Sequence, residues 1–247
     1  MNKCDEKFGL ISDIVADQPQ TWRDRIFLTF DIDWAHDEVL GHCIRLVEEA
    51  NVRATWFVTH PTDWIQYLAE NPNFELGLHP NFNELLKGKM KPGENSESII
   101  AAIKCLVPNA TAIRSHSLVQ SERLVDEFAL AGFSHISNTF IPLNENSVLA
   151  PWQIWDGVTV LPHCWQDNVS MRIEGALTRP KLKHDGGLRI YDFHPIHVFL
   201  NTNTIDRYEA ARQYFQSPQE LRAMRNSEAM GAEDVLCEIM ELNCAFV

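Results

Sequence analysis

The chain has 247 residues, of which 45% are hydrophobic and 22% are charged, the balance of an ordinary globular protein. Its formal net charge of -13 makes a nucleic-acid backbone an unfavourable partner. No apolar stretch approaches the roughly 18 residues of a membrane span, and the N-terminus lacks the apolar core of a signal peptide, so we expect a cytoplasmic protein. The 6 cysteines are scattered without a C-x-x-C pair, which favours reduced thiols.

The first predicted strand ends in two carboxylates. Residues 1–25 predict a helix or arm packed on the outside, and the apolar run Ile26 to Phe30 then predicts a buried strand. Asp31 and Asp33 follow, and helical spacing covers residues 35–50. Carboxylates after a buried parallel strand lie where α/β folds build active sites. A single Asp there is often only a turn former or a helix cap, but the Asp-x-Asp spacing favours a metal-assisted hydrolytic site.

Strands and helices alternate along the rest of the chain. Further strands are predicted at 53–59, 74–78, 110–113, 133–136, 158–161 and 187–193. Helices are predicted at 62–70, 96–107, 121–131, 205–215, 218–227 and 232–242, with a polar loop at 84–95. This order implies a parallel sheet with right-handed crossovers. We therefore expect an α/β fold in one domain over residues 1–247: a closed or nearly closed barrel of the distorted (β/α)7 type, with its core at about 26–200 and C-terminal helices at 205–242.

Four predicted strand ends carry polar signatures. These are Thr29-Phe30-Asp31-Ile32-Asp33, Glu75-Leu76-Gly77-Leu78-His79-Pro80, Arg114-Ser115-His116-Ser117 and Tyr191-Asp192-Phe193-His194-Pro195. Their order and spacing resemble the polysaccharide deacetylases of the NodB-homology class, carbohydrate esterase family four, over roughly residues 26 to 200. The chain is most similar to a divergent cytoplasmic branch, the WbmS-like proteins linked to surface-sugar biosynthesis. The resemblance implies a NodB-like barrel that removes an acyl group, typically acetyl, from an N- or O-acylated sugar or saccharide precursor.

The resemblance also implies a role for each matching residue. Asp31 matches the general base of the family, and Asp33 and His79 match metal ligands. Arg114 matches the arginine that pairs with the base, and we expect a bidentate pair that keeps Asp31 ionised. His194 matches the strand-end histidine that protonates the leaving group as imidazolium. The metal is expected to be zinc, with cobalt or nickel as alternatives; it would acidify bound water and polarise the acyl oxygen.

Two positions depart from the family pattern. Asn83 stands where the second motif has its second histidine, and His116 stands where the third motif has a proline. The third metal ligand is therefore Asn83 or His116, and we favour His116 because imidazole is the better zinc ligand. His163 is an outside candidate. The acid is His194 or His197, and we favour His194 because it directly ends a strand.

Other interpretations stay open from the residues. Trp165 and Asp167 are candidates for lining a sugar cleft, although tryptophans are more often core residues. The same fold also hydrolyses other non-peptide carbon–nitrogen bonds in ring-opening amidohydrolases. The missing second histidine further allows a catalytically inactive, carbohydrate-binding relative.

Overall fold

The structure is a computed structural model that describes residues 7–89, 91–142, 148–178 and 186–241. The described strands are β1 Phe27–Asp31, β2 Ala54–Val58, β3 Phe74–Leu78, β4 Ala112–Ile113, β5 His135–Phe140, β6 Trp152–Gln153, β7 Thr159–His163, β8 Trp165–Gln166 and β9 Ile190–Phe193. The described α-helices are α1 Asp37–Glu49, α2 Trp64–Glu70, α3 Asn83–Leu86, α4 Ser96–Lys104, α5 Glu122–Leu130, α6 Asp167–Glu174, α7 Pro195–Leu200, α8 Ile205–Ala211, α9 Pro218–Ala223 and α10 Ala232–Glu241.

The strands form one curled sheet in the order β6-β7-β5-β4-β3-β2-β1-β9-β8. All neighbours pair in parallel except β6, which runs antiparallel to β7. Residues 159–166 carry both β7, which pairs with β5, and β8, which pairs with β9. This stretch brings the two ends of the sheet together. If β7 and β8 are counted as one strand and the antiparallel β6 is left out, the barrel has seven parallel strands in the described part of the chain. The predicted α/β fold, a distorted (β/α)7-type barrel, is confirmed.

Aromatic packing holds the strands that carry the first two signatures. All five residues of β1 are buried, as expected of a parallel strand covered on both faces. Phe30 stacks on Trp56 of β2 with ring centroids 4.2 Å apart. On β3, a Cβ at Gly77 would lie 2.6 Å from the buried ring of Phe57, so only glycine allows this close approach.

The N-terminal segment does not pack on the outside, and that prediction is wrong. Residues 7–26, called the N-terminal arm below, contain two short 3-10 helices, Ile11–Asp13 and Pro19–Thr21, and a β-bridge from Phe8 to Ile26; Phe8 and Ile11 are fully buried. The Ile11 amide donates to Thr55 Oγ1 of β2 at 3.2 Å, and the Ile14 carbonyl lies 3.0 Å from the ring of His135 on β5. The arm closes the N-terminal end of the barrel, because that end offers its apolar side chains a place to be buried.

Several elements differ from the sequence prediction. The sequence predicts no helix between the strands at 158–161 and 187–193, but α6 lies there, and α7 starts with a proline directly after His194. The predicted strand 133–136 is the start of the longer β5, whose polar residues Ser137 and Asn138 are buried and hydrogen-bonded.

The C-terminal end of the chain is close to the prediction. The predicted helix 205–215 divides into α8 and the 3-10 helix Arg212–Tyr214. The predicted end of the last helix, Leu242, lies outside the described residues. Among the described helices, none combines the length and apolar character needed to cross a membrane.

Candidate active site

Three donor atoms from three loops form a small triangle at the carboxyl ends of the strands. Asp33 Oδ1 lies 3.0 Å from His116 Nδ1 and 3.3 Å from His79 Nε2, and these two ring nitrogens are 3.3 Å apart. A tetrahedral ion with zinc-like bonds of about 2.0–2.2 Å holds its ligand atoms roughly 3.3–3.5 Å apart. The triangle therefore has the donor types and the dimensions of a metal-binding face.

The backbone at the strand ends brings these atoms together. Asp33 and Trp34, just after β1, both have positive φ angles, 37° and 55°, which turn the chain sharply out of the sheet. The His79 amide donates to the Val58 carbonyl at 2.8 Å. The His116 amide donates to Pro80 O at 2.9 Å and so ties the loop after β4 to the loop after β3.

Asn83 and His163 do not join the triangle. The Asn83 side chain lies at the start of α3, with its amide nitrogen 3.4 Å from Ser117 Oγ. His163 is fully buried, and its Nε2 lies 3.4 Å from Gln166 Oε1. Burial and the nearby Arg114 charge hold the pKa of His163 well below its usual range. Of the three candidates for the third metal ligand, only His116 has a ring nitrogen in the triangle with Asp33 and His79.

Asp31 lies beside the triangle, in contact with the buried Arg114. Arg114 Nη1 donates to Asp31 Oδ1 at 3.0 Å and also to Asp192 Oδ1. Arg114 therefore reaches Asp31 through one nitrogen, and the predicted bidentate pair is wrong. The rest of the guanidinium is taken by Ser137, whose carbonyl and hydroxyl accept from Nε and Nη2 at 3.1 and 3.0 Å.

Asp192 is a second buried carboxyl on the same guanidinium. Burial raises the pKa of Asp192 well above its usual range; the Arg114 charge opposes this rise and the Asp31 charge adds to it. Its Oδ2 is buried and has no hydrogen-bond partner. Burial thus opposes a second negative charge beside Asp31.

The two ring nitrogens of His79 face two different carboxylates. Its Nε2 belongs to the triangle, and its Nδ1 lies 3.4 Å from Asp31 Oδ1, buried and without a hydrogen-bond partner. Histidines that bind metals usually direct their other ring nitrogen at a carboxylate or carbonyl, which orients the ring. Burial by itself would raise the pKa of Asp33, but hydrogen bonds from His116 and His79 hold it far below its usual range.

His194 and the fully buried Asp167 form a hydrogen-bonded pair on the other side of Asp33. Asp167 accepts from the His194 backbone amide and contacts ring atom Nδ1, both at 2.7 Å. His194 Nε2 lies 3.6 Å from Asp33 Oδ2. Burial by itself would lower the pKa of His194, but the charge and hydrogen bond of Asp167 raise it well above its usual range. Burial lowers the pKa of His197 to about 4, despite the opposing charge of Asp167.

Two further groups of donor atoms contain His194. They are Asp167 with His194 and His197, and Asp31 with Asp192 and His194. In the first group the 2.7 Å contact to Asp167 has the length of a hydrogen bond, and in the second both carboxylates already contact Arg114. The Asp33 triangle is the better metal candidate among the described residues.

Comparison with known proteins agrees with this arrangement of motifs. Residues 28–212 match the family model of the WbmS-like polysaccharide deacetylases. The chain belongs to this family. The WbmS-like match covers the four strand-end signatures and confirms the resemblance expected from them.

A solved structure shows the same relationship. The WbmS-like chain is 39% identical to a polysaccharide deacetylase of Bordetella bronchiseptica involved in O-antigen biosynthesis, with a TM-score of 0.91 and coverage of 96% of this chain and 98% of that one. A polysaccharide deacetylase of Mycobacterium smegmatis is 17% identical, with a TM-score of 0.45 over 89% of this chain and 90% of that one. No curated protein sequence matches the chain.

The structure brings all six predicted site residues together. They are Asp31, Asp33, His79, Arg114, His116 and His194. Sequence reasoning considered Asp167 only as a cleft residue and gave Asp192 no role. Asp192 belongs to the fourth strand-end signature and stands two residues before His194. In an extended strand this spacing places both side chains on the same face, which could have indicated a site residue. Asp167 is not part of any of the four strand-end signatures, so its position in the sequence does not indicate a role.

A cleft of about 370 Å³ opens beside Asp33, His116 and His194. Its far wall comes from α6 and from the C-terminal elements that follow α7. Asp167 is buried behind this wall, and Trp165 packs in the core with its ring 4.8 Å from Phe193. The suggestion that Asp167 and Trp165 line the cleft is therefore wrong.

Proposed function

We propose that the protein hydrolyses an acyl group, typically acetyl, from an N- or O-acylated sugar, with a divalent ion held by Asp33, His79 and His116. The observation that carries this proposal is the triangle of donor atoms 3.0–3.3 Å apart, with Asp31 and His194 on either side. Two nitrogens and one carboxylate oxygen form a donor set typical of catalytic zinc, and cobalt or nickel accept the same set. When bound, such an ion supplies Lewis-acid chemistry that polarises the acyl oxygen and acidifies water.

Asp31 is the proposed general base. It is buried, it contacts Arg114, and it lies 3.4 Å from the ring of the proposed ligand His79. In this position its carboxylate can take the proton of a water that attacks the acyl carbon. The raised pKa of the buried Asp192 reduces its competition with Asp31 for the Arg114 charge.

His194 is the proposed acid that protonates the departing amine or alcohol. Asp167 accepts hydrogen bonds from both the ring and the backbone of His194, which fixes the ring and stabilises its charged form. Because Nδ1 contacts Asp167, Nε2 is the ring nitrogen available on the cleft side, where it lies 3.6 Å from Asp33 Oδ2. Imidazolium is a suitable acid near neutral pH.

We propose a cytoplasmic reaction on a precursor of a surface polysaccharide. The 39% identical protein of Bordetella bronchiseptica, a polysaccharide deacetylase involved in O-antigen biosynthesis, supports this substrate class. Free thiols at Cys43, Cys105 and Cys237 suit a reducing compartment.

Metal analysis of the purified protein tests the ligand set. We expect one zinc, cobalt or nickel ion per chain and acetate release from acetylated sugars that depends on this ion. His116→Ala should weaken zinc binding by about 100-fold or more, because it removes a direct ligand. Asn83→Ala, the matched control from the family's usual ligand position, should keep the metal.

Either of two results would contradict the proposal. A crystal with zinc bound and His116 more than about 3 Å from it would remove His116 from the ligand set, since Zn–N bonds are about 2.0–2.1 Å. Absence of bound metal, together with no acetate release on adding zinc, cobalt or nickel, would instead favour an inactive sugar-binding protein.

A further inference from the structure

Two arginines line the cleft outside the metal triangle. Arg172 lies in the last turn of α6, and Arg212 begins the 3-10 helix after α8. The helices α6 and α8 pack against each other, so the two arginines belong to one wall of the cleft. Asp33, His116 and His194 line the same cleft.

Each arginine shares a helix face with another cleft residue. Asn168 and Arg172 are four residues apart on α6, and Tyr208 and Arg212 have the same spacing, so each pair points to one side. The first residue of α6 is Asp167, which holds His194. Arg172 is therefore carried by the same helix that positions the proposed acid.

The charges of this wall are weakly compensated by the described part of the protein. Asp33 is the sole carboxylate among the described residues that line the cleft, and it contacts His79, His116 and His194. Arg172 makes no hydrogen bond or ion pair in the described part of the chain. Arg212 lies 3.2 Å from Glu209, but both side chains are about half or more exposed, so water and salt weaken this pair. A cationic wall is also unexpected in a chain with 34 acidic and 21 basic residues.

Polar and aromatic groups complete a surface suited to a charged sugar. Asn168 Oδ1 is buried and has no hydrogen-bond partner, so it can accept from a sugar hydroxyl or amide. Trp34 and Phe215 line the cleft and offer ring faces for a pyranose.

We propose that this cleft selects acylated sugars that also carry an anionic group, a carboxylate or a phosphoryl group, bound by Arg172 and Arg212. The planar guanidinium matches both kinds of oxyanion with paired hydrogen bonds. This inference rests on the proposed deacylation and names the substrate class of the same site. The anionic group lies towards α6 and α8, and the acyl group lies towards the triangle.

Matched sugars test the inference. Acetate release is measured with N-acetylglucosamine, its 1-phosphate and N-acetylglucosaminuronic acid. We expect kcat/KM at least about 10-fold higher for one of the two anionic sugars, and the better one identifies a phosphoryl or a carboxylate site. The double variant Arg172→Gln, Arg212→Gln should reduce the anionic-to-neutral ratio of kcat/KM about 10-fold, mainly through KM. Arg45→Gln removes one positive charge from exposed α1 outside the cleft and should leave the ratio unchanged.

Binding separates this inference from the proposed reaction. Calorimetry with the Asp31→Asn protein measures the affinity of the same three sugars without turnover. Tighter binding of an anionic sugar, lost in the arginine double variant, supports the inference even where no sugar is deacetylated. Equal affinity for neutral and anionic sugars, no binding of either anionic sugar, or a ratio that the double variant leaves intact overturns it.

Discussion

The strand β3 carries an ionisable residue at each end of the barrel, and the two environments differ. At the N-terminal end, Glu75 Oε2 accepts from Thr55 Oγ1 at 2.7 Å and from the Ser12 amide at 3.3 Å. At the C-terminal end, His79 has a buried Nδ1 without a hydrogen-bond partner, while its Nε2 shares Asp33 with His116. Glu75 therefore has fixed hydrogen-bond partners, whereas His79 keeps a ring nitrogen available to a ligand.

Neighbouring residues extend the contrast. In the N-terminal arm, Asp13 binds Arg53 at 2.6 Å and the Leu10 amide at 3.0 Å. Around the C-terminal end, Asp192 Oδ2 and Asn168 Oδ1 are buried and lack partners. Polar groups that the chain does not satisfy are costly to bury, so these two atoms beside the cleft are places where a ligand can supply the missing hydrogen bonds.

Asp31→Asn is expected to have the largest effect on activity. Loss of the general base should reduce kcat about 10³-fold, whereas the free energy of unfolding should change by less than about 2 kcal/mol, because Asp192 stays beside Arg114. Acetate release and urea unfolding measure the two quantities. Acetate release at the wild-type rate would exclude Asp31 as the base, and unchanged metal content shows that the ligand set is intact.

Asp167→Asn tests the positioning of the proposed acid. The amide can still accept from the His194 backbone, but it no longer stabilises an imidazolium. We expect kcat to fall roughly 100-fold with little change in KM. If kcat stays within a few-fold of wild type, His194 does not depend on Asp167, and His197 becomes the alternative acid.

Glu75→Gln tests the other end of the barrel and should have the smallest effect. Burial raises the pKa of Glu75 above its ordinary 4.5, opposed by hydrogen bonds from Thr55 and Ser12. A carboxyl with a raised folded-state pKa contributes stability below pH 4.5 and loses that contribution as the pH rises through the folded pKa. The variant should therefore gain stability relative to wild type between pH 4 and pH 8, on the order of 1 kcal/mol.

Urea unfolding at both pH values measures this change, and acetate release provides the control. Glu75 lies far from the cleft, so kcat should stay within about 2-fold of wild type. A large loss of activity in Glu75→Gln would break the distinction between a structural and a functional end.

Local patterns were enough to predict β1 and β3 and the residues that follow them. Asp31 and His79 each come directly after an apolar run, and Asp33 stands two residues after Asp31. The order of such runs limits which strand ends meet. His116 could be favoured over Asn83 because imidazole is the better zinc ligand. The single-domain organisation stays a prediction.

Long-range contacts explain what the sequence did not indicate. Asp167 is 27 residues from its partner His194, and the stretch between them shows no strong periodicity. The sharing of Arg114 between two carboxylates depends on the register of β1 with β9, which pairs Thr29 with Asp192. The cleft wall needs the packing of α6 on α8, which neither helix pattern specifies alone.

The stretch 159–166 has a consequence for the order in which the chain folds. Strands β1 to β5 pair with close neighbours, but β9 pairs with β1 across about 160 residues, and β8 can pair only once β9 is present. Strands that are far apart in the chain pair late, because the chain between them must lose conformational entropy before their contacts form. Asp167 follows β8 and His194 follows β9, so we expect the acid pair to assemble in the last step of folding. Only chains in which β9 has paired with both β1 and β8 would then be able to hydrolyse the substrate.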